Sequence, residues 1–314
     1  MPNTATHQLP LIERVGEGFD PSPLPHRALQ WRRAARAMLR IHEGYDDQAA
    51  LDYAAALEGD DGERDFQAFL AEPGATALLR ERPCLEARLD DFEALAKLPG
   101  GSLGRAYLTL AQRDGIRVSD LIEAQQAQPD ARERTPDDVR RWFHARRVAS
   151  HDLLHVLTSY GRDHPGELLL LAFTQAIVPK TVLRVSLALG LLAVPLRYYV
   201  AFALDIVRAY RRGRAACIPA SAPWDELLGV QIDEARMRLG IASAEQTHRG
   251  RGWREEDAAG AWRHLPPEPA FFTPACTSAG GAPGSRTRSA RAGSCSGTRA
   301  TPSTFPARAS SIGP

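Results

Sequence analysis

The chain has 314 residues and 39 Lys and Arg against 38 Asp and Glu, a net charge of +1 that is unevenly spread. The last acid is Glu268 and five arginines follow it, so the chain up to Glu268 holds 34 basic and 38 acidic residues, a net of −4. A folded part without a basic surplus argues against nucleic-acid binding, and four cysteines with no close spacing (Cys84, Cys217, Cys276, Cys295) exclude a CxxC metal site and a disulfide framework.

Residues 1–24 lack a basic start followed by an apolar run, the pattern of a secretory signal, and read as a flexible segment. From Pro25 to Arg64 apolar residues recur at helical spacing (Ala28, Trp31, Ala35, Met38, Leu39), and Ala-, Arg- and Glu-rich segments continue to Leu98. No stretch alternates with a two-residue period, so the fold class is all-α. Pro73-Gly74, Pro99-Gly100-Gly101, Asp114-Gly115, Pro165-Gly166, Pro179, Pro195 and Pro219 divide the chain into helical units. The run Leu98 to Gly104 lacks the Lys-Ser/Thr of a phosphate loop and reads as a tight turn between helices. The clearest helix start is Thr135-Pro136-Asp137-Asp138, with Thr135 as cap and Pro136 at the first helical position. No breaker follows until Gly161, which predicts a helix of about 25 residues, roughly 37 Å long, with Trp142 and Phe143 packed in the core.

From Leu168 to Val207 the only charges are Lys180, Arg184, Arg197 and Asp205. The uncharged runs on either side of Lys180 and Arg184 reach only about a dozen residues, short of the ~20 that cross a bilayer, so no transmembrane helix is expected. These residues form either core helices or the walls of an apolar cavity whose outer surface dips into a bilayer. In the second case Arg208, Arg211, Arg212 and Arg214 meet anionic headgroups. Trp224 is expected to anchor a short segment beginning near Ser221. From Thr277 onward nearly every residue is Gly, Ala, Ser, Thr, Pro or Arg, a composition that cannot bury a core. The expected organisation is one multi-helix domain over 25–245, followed by a linker and disordered tail over 246–314.

The chemistry-bearing residues lie near the end of the long helix, in His151-Asp152-Leu153-Leu154-His155. Histidines four apart share a helix face and can share one ion. Asp152 sits on the adjoining edge. Gly161 can close the helix in a left-handed cap and Pro165 can start the next, which places Glu167 in the first turn of a returning helix. Two imidazoles and two carboxylates at one helix corner suit zinc or another divalent ion. The plainer alternative is a structural pair of histidines hydrogen-bonded to Asp152 and a backbone carbonyl. A hydrolase corner would need further ligands such as His42 with Asp46 or Asp47.

His151, Asp152, His155 and Glu167, in the pattern H-D-x-x-H followed by eleven residues and Glu, resemble the hallmark of the ubiquinone biosynthesis proteins of the fourth coenzyme Q group. The resemblance extends through Arg82-Pro83, Leu98 to Tyr107, Arg146 and Arg147, Pro223 to Leu228, and Arg236 to Ile241. It implies an all-helical protein with zinc held by His151, Asp152, His155 and Glu167, the same four residues being catalytic. It also implies a cavity for a polyprenyl chain and a peripheral site on a membrane: the inner face of the cell membrane if bacterial, the matrix side of the mitochondrial inner membrane if eukaryotic. The implied activity is that of a decarboxylase-like lyase, which removes the ring carboxylate of a polyprenylated 4-hydroxybenzoate intermediate and introduces a hydroxyl at the vacated carbon. The alternative is a noncatalytic lipid-binding scaffold that organises the other quinone biosynthesis enzymes. Expected partners are the prenylated precursor, a membrane surface and those enzymes, with no nucleic acid; a homo-oligomer is left open.

Overall fold

The computed structural model describes residues 19–43, 47–193 and 196–243. The linker and tail expected over 246–314, most of the segment 1–24, and Asp46 lie outside the described residues. Among the described residues the chain is helical, without a strand; one isolated bridge joins Ser102 to Gln231. In chain order the helices are α1 (Trp31–Glu43), α2 (Asp47–Ala56), α3 (Asp61–Leu70), α4 (Ala75–Glu81), α5 (Leu85–Asp90), α6 (Phe92–Ala96), α7 (Leu103–Asp114) and α8 (Val118–Gln126). They continue as α9 (Ala131–Arg134), α10 (Asp138–Thr158), α11 (His164–Ile177), α12 (Thr181–Ala193), α13 (Leu196–Ala215), α14 (Trp224–Leu227) and α15 (Ile232–Arg238).

The long helix α10 is the spine. It starts two residues later than its sequence suggests, because Asp137 rather than Thr135 is the cap: the Arg140 backbone N–H donates to Asp137 Oδ1 at 2.8 Å, while Thr135 closes α9 by donating its hydroxyl to the Ala131 carbonyl. The N-terminal half of α10 packs Val139, Trp142 and Phe143 against Phe66 and Phe69 of α3, with Phe69 and Phe143 stacked at 4.8 Å between centroids. Trp142 also donates its indole N–H to the Pro83 carbonyl. The C-terminal half packs Leu153 and Leu157 into the main core with Leu103 and Tyr107 of α7, and with Leu168 to Phe173 of α11.

Arg146, 1 % exposed, donates from Nη1 to Asp225 Oδ2 at 2.9 Å and from Nη2 to the Ala222 carbonyl at 3.0 Å. This ties α10 to the Pro223–Leu228 run, where Trp224 is buried as expected. The Leu98–Gly104 run is the turn that its sequence indicates. Ser102 caps α7 by accepting from the Arg105 N–H, Gly101 adopts φ 77°, and the Gly101 carbonyl accepts from the Ile232 N–H.

The apolar stretch Leu168–Val207 divides between two roles. Leu168 to Phe173 of α11 are buried core, and α11 lies so close to α13 that a Cβ on Gly213 would collide with the Phe173 carbonyl oxygen. In contrast, α12 and α13 expose Leu189, Leu192, Val200, Leu204 and Val207, with Leu192 at 76 % and Val200 at 71 %. No helix among the described residues is long and apolar enough to cross a membrane. The basic cluster after this stretch is split as well. Arg212 is turned inward, 4 % exposed, and donates to the carbonyls of Thr158 and Ala242, while Arg208 pairs with buried Asp205. Only Arg211 and Arg214 of the four are exposed.

Candidate metal centre

The corner that carries His151, His155 and Glu167 forms between α10 and α11. α10 ends at Ser159, which takes the left-handed conformation (φ 58°, ψ 25°) expected of Gly161. Ser159 is held there from outside: Arg236 of α15 donates to Ser159 Oγ at 2.7 Å and to the Leu157 carbonyl at 2.8 Å, and Arg212 donates to the Thr158 carbonyl. Two cations thus satisfy the last carbonyls at the negative end of the helix. α11 then starts around the expected Pro165, with a cap that the sequence reading did not name. Asp163 caps it, accepting from the Gly166 N–H, and Pro165 occupies the first turn, where no N–H is needed. A Cβ at Gly166 would collide with the Gly161 carbonyl oxygen, so this tight return needs glycine. Glu167 thereby lands in the first turn of α11, beside the last turns of α10.

The ligand atoms offered by His151, His155 and Glu167 all lie within 4.8 Å of one another. The two imidazoles meet edge to face at 4.9 Å between centroids. His155 and Glu167 are buried, and the His151 side chain, 28 % exposed, forms the open edge. His155 Nδ1 lies 3.0 Å from the Tyr160 carbonyl oxygen. A carbonyl only accepts, so Nδ1 carries the proton and Nε2 points at Glu167 Oε1, 3.2 Å away. In a neutral ring that contact sets one lone pair against another, so the pair calls for a cation, either a proton or a metal ion. His155 Nε2 and Glu167 Oε2 are both buried without a hydrogen-bond partner, an arrangement that is costly in a finished protein interior.

The electrostatics agree. Burial works against a charged His155, but the Glu167 carboxylate, with Asp152 and the Tyr160 carbonyl, outweighs it and holds the imidazole pKa above its ordinary value. Burial likewise opposes ionisation of Glu167, yet His155, with His151 and Arg162 further away, holds its carboxyl below the usual range. Each member of the pair thus favours the charged form of the other.

Asp152 stands apart from this group. Its Oδ1 accepts from Arg162 Nη1 at 2.7 Å and lies 3.6 Å from His151 Nδ1. Burial opposes its ionisation, but His151 and Arg162 keep its carboxyl below the ordinary value. Arg162 also reaches Asp114 of α7 at 3.5 Å. The structure therefore brings His151, His155 and Glu167 together and assigns Asp152 to Arg162, a residue that sequence reasoning passed over. His144 lies outside the group and faces Gln125 Oε1 at 2.8 Å. His42 is exposed on α1, and the side chain of His164 lies outside the described ones.

A family model described as coenzyme Q (ubiquinone) biosynthesis protein Coq4 matches residues 64–245, more than half of the chain. The chain belongs to the Coq4 family. It is 28 % identical over 179 residues to the ubiquinone biosynthesis protein coq4, mitochondrial, of Aspergillus fumigatus, a match that covers 55 % of this chain and 58 % of that protein. The Talaromyces stipitatus protein of the same name is 30 % identical over the same length and shares. The chain thus spans about 58 % of the length of these relatives. A crystal structure described as a putative ubiquinone biosynthesis protein from Nostoc punctiforme superposes with a TM-score of 0.51 at 23 % identity, covering 69 % of this chain and 100 % of that one. That likeness concerns the fold. The Coq4 match begins within α3, so α1 and α2 precede it.

Proposed function

We propose that the chain acts in ubiquinone biosynthesis at a divalent metal centre, most simply zinc, held by His151, His155 and Glu167. The observation that carries this reading is the pair of buried ligand atoms left without a hydrogen bond, His155 Nε2 and Glu167 Oε2, beside a half-open histidine. Two nitrogens and a carboxylate oxygen form a donor set suited to zinc, and three protein ligands leave a coordination position open. The Tyr160 carbonyl fixes the His155 tautomer so that Nε2 is the ligating atom.

The substrate in this reading is a polyprenylated 4-hydroxybenzoate. Its ring carboxylate leaves as carbon dioxide and a hydroxyl whose oxygen comes from water takes its place, one proton is released, and a two-electron oxidant outside this chain accepts the electrons. A metal ion at the site supplies Lewis-acid polarisation of a bound carboxylate or phenolate oxygen. Arg162, fixed between Asp152 and Asp114, holds a cation beside the site that complements the ring carboxylate. Asp152 thus acts by positioning Arg162 instead of as a fourth ligand. The exposed leucines and valines of α12 and α13 accommodate the isoprenoid tail and bring the protein to the membrane surface where such a substrate resides. Binding energy from the tail then orients the ring at the metal centre. The other quinone biosynthesis enzymes are the partners this reading expects.

The test is complementation of a host that lacks its own family member. The full chain should restore quinone content and remove the accumulated prenylated ring acid, and His155→Ala and Glu167→Gln should do neither. Full restoration by both variants would overturn the metal site. Loss of partner association in those variants, with no turnover by the purified wild type, would favour a scaffold.

A further inference from the structure

α1 lies outside the candidate metal centre and precedes the Coq4 match. From Trp31 to His42 this helix carries no acidic residue and four arginines. Its inner face is made of small and medium residues: Ala34, Ala37 and Ile41 pack against Ala49, Ala50 and Tyr53 of α2. Arg33 is tied down at the edge of that face by Asp52 and Asp130. The outer face carries two parallel rows at a spacing of four residues. One row is Trp31, Ala35 and Leu39, with Trp31 55 % and Leu39 61 % exposed. The other is Arg32, Arg36 and Arg40, all exposed. Arg40 approaches Asp52 at 3.8 Å. Among the described residues, Arg32 and Arg36 have no ion-pair partner, and Trp31 and Leu39 stand exposed beside them.

The inner side of the hairpin α1–α2 packs beside α12. α12 carries an apolar stripe of Val182, Val185, Leu189 and Leu192 at spacings of three and four residues. The hairpin packs on the first part of that stripe, at Val182 and Val185, and Tyr53 of α2 meets Ser186 at 3.2 Å. Beyond it, Leu189 and Leu192 emerge exposed. The hairpin therefore sits where an apolar surface begins.

We propose that the outer face of α1 docks on an anionic lipid bilayer, with Trp31 and Leu39 entering the interface and Arg32 and Arg36 meeting lipid phosphates. A helix of 13 residues, about 20 Å long, with arginines along one edge and Trp and Leu along the other, has the make-up of an element that lies in the plane of the interface. Charge complementarity selects the bilayer as the occupant. A second copy of this chain would set the arginine rows against each other, and a neutral apolar partner would leave them uncompensated. The proposal deepens the membrane-contact part of the functional reading and does not involve its metal centre, so α1 variants retain wild-type metal content.

The test is flotation of the full chain with vesicles of phosphatidylcholine alone and of phosphatidylcholine mixed with phosphatidylglycerol. At about fivefold per arginine, Arg32→Gln with Arg36→Gln should weaken binding to the anionic vesicles about 25-fold and leave binding to neutral vesicles unchanged. Trp31→Ser with Leu39→Ser should weaken binding to both. Leu192→Ser, measured alongside, reads the α12 contribution separately, so its failure would count against the functional reading and not against α1. Wild-type binding by both α1 variants would overturn the proposal. So would a wild-type dimer that dissociates on Trp31→Ser with no change in vesicle binding.

Discussion

The two ends of α10 both bury charge, and they finish it differently. Near the start, Arg140 is 4 % exposed and every guanidinium nitrogen has a partner: Nε and Nη2 grip Glu63 at 2.9 Å, Nη1 reaches Asp137, and the carbonyls of Asp20 and Ser22 accept the remaining protons. One turn before the end, His155 and Glu167 are as deeply buried but leave a nitrogen and an oxygen without a hydrogen bond. Arg140 with its partners is a saturated structural joint; His155 with Glu167, unsaturated and built from ligand-type atoms, is the candidate receptor proposed above. The difference separates two uses of charged residues on one helix.

The largest expected effect tests the structural end. Arg140→Ala strands Glu63 and Asp137 and should cost about 3–5 kcal/mol of stability, equally with and without chelator, in chemical denaturation. A chelator-dependent loss would break the comparison. Next in size is the receptor end. A divalent ion present at about a hundredfold excess over its Kd should stabilise the chelator-treated wild type by about 2.7 kcal/mol and His155→Ala not at all, as read from thermal shifts. Asp152→Asn comes third: with Arg162 released but the three ligands intact, metal affinity should fall about tenfold by titration. A loss as complete as that of His155→Ala would make Asp152 a ligand and redraw the site.

The smallest expected effect concerns pH. Burial opposes ionisation of Asp65, but Arg147 at 3.0 Å and Lys180 outweigh it and hold its carboxyl below the ordinary value. A group with a lowered folded pKa stabilises fully above its unfolded value, near 4, and loses that contribution as the pH falls further. Asp65→Asn should therefore be destabilised at neutral pH and show a shallower acid limb below about pH 4 in pH-dependent denaturation. An acid limb as steep as that of the wild type would mean that Asp65 is not ionised in the fold.

Much of the corner was legible from local rules. The spacing of four puts His151 and His155 on one face, and Pro165 starts the returning helix that delivers Glu167. The all-helical class and the core roles of Trp142 and Phe143 followed from periodicity and composition. What was not legible depends on partners distant in sequence. Ser159, not Gly161, takes the left-handed position because Arg236 and Arg212 hold the end of α10. Arg212 reads as one of four basic residues available to a surface, yet it is consumed inside. Asp152 sits within the motif, but its partner Arg162 is set by the geometry of the loop. The same limit applies to the division of Leu168–Val207 into core and exposed surface, which depends on what packs against each face.

The central claim is that the unsaturated end of α10 holds a divalent ion through His151, His155 and Glu167. Native mass spectrometry of the purified full chain, with elemental analysis of the same sample, tests it most directly. The account predicts close to one divalent ion per chain in the wild type, lost in His155→Ala and in Glu167→Gln and retained in Arg140→Ala that has been kept folded at low temperature. A wild type that holds no ion, and takes up none when zinc or another divalent ion is supplied, would contradict it.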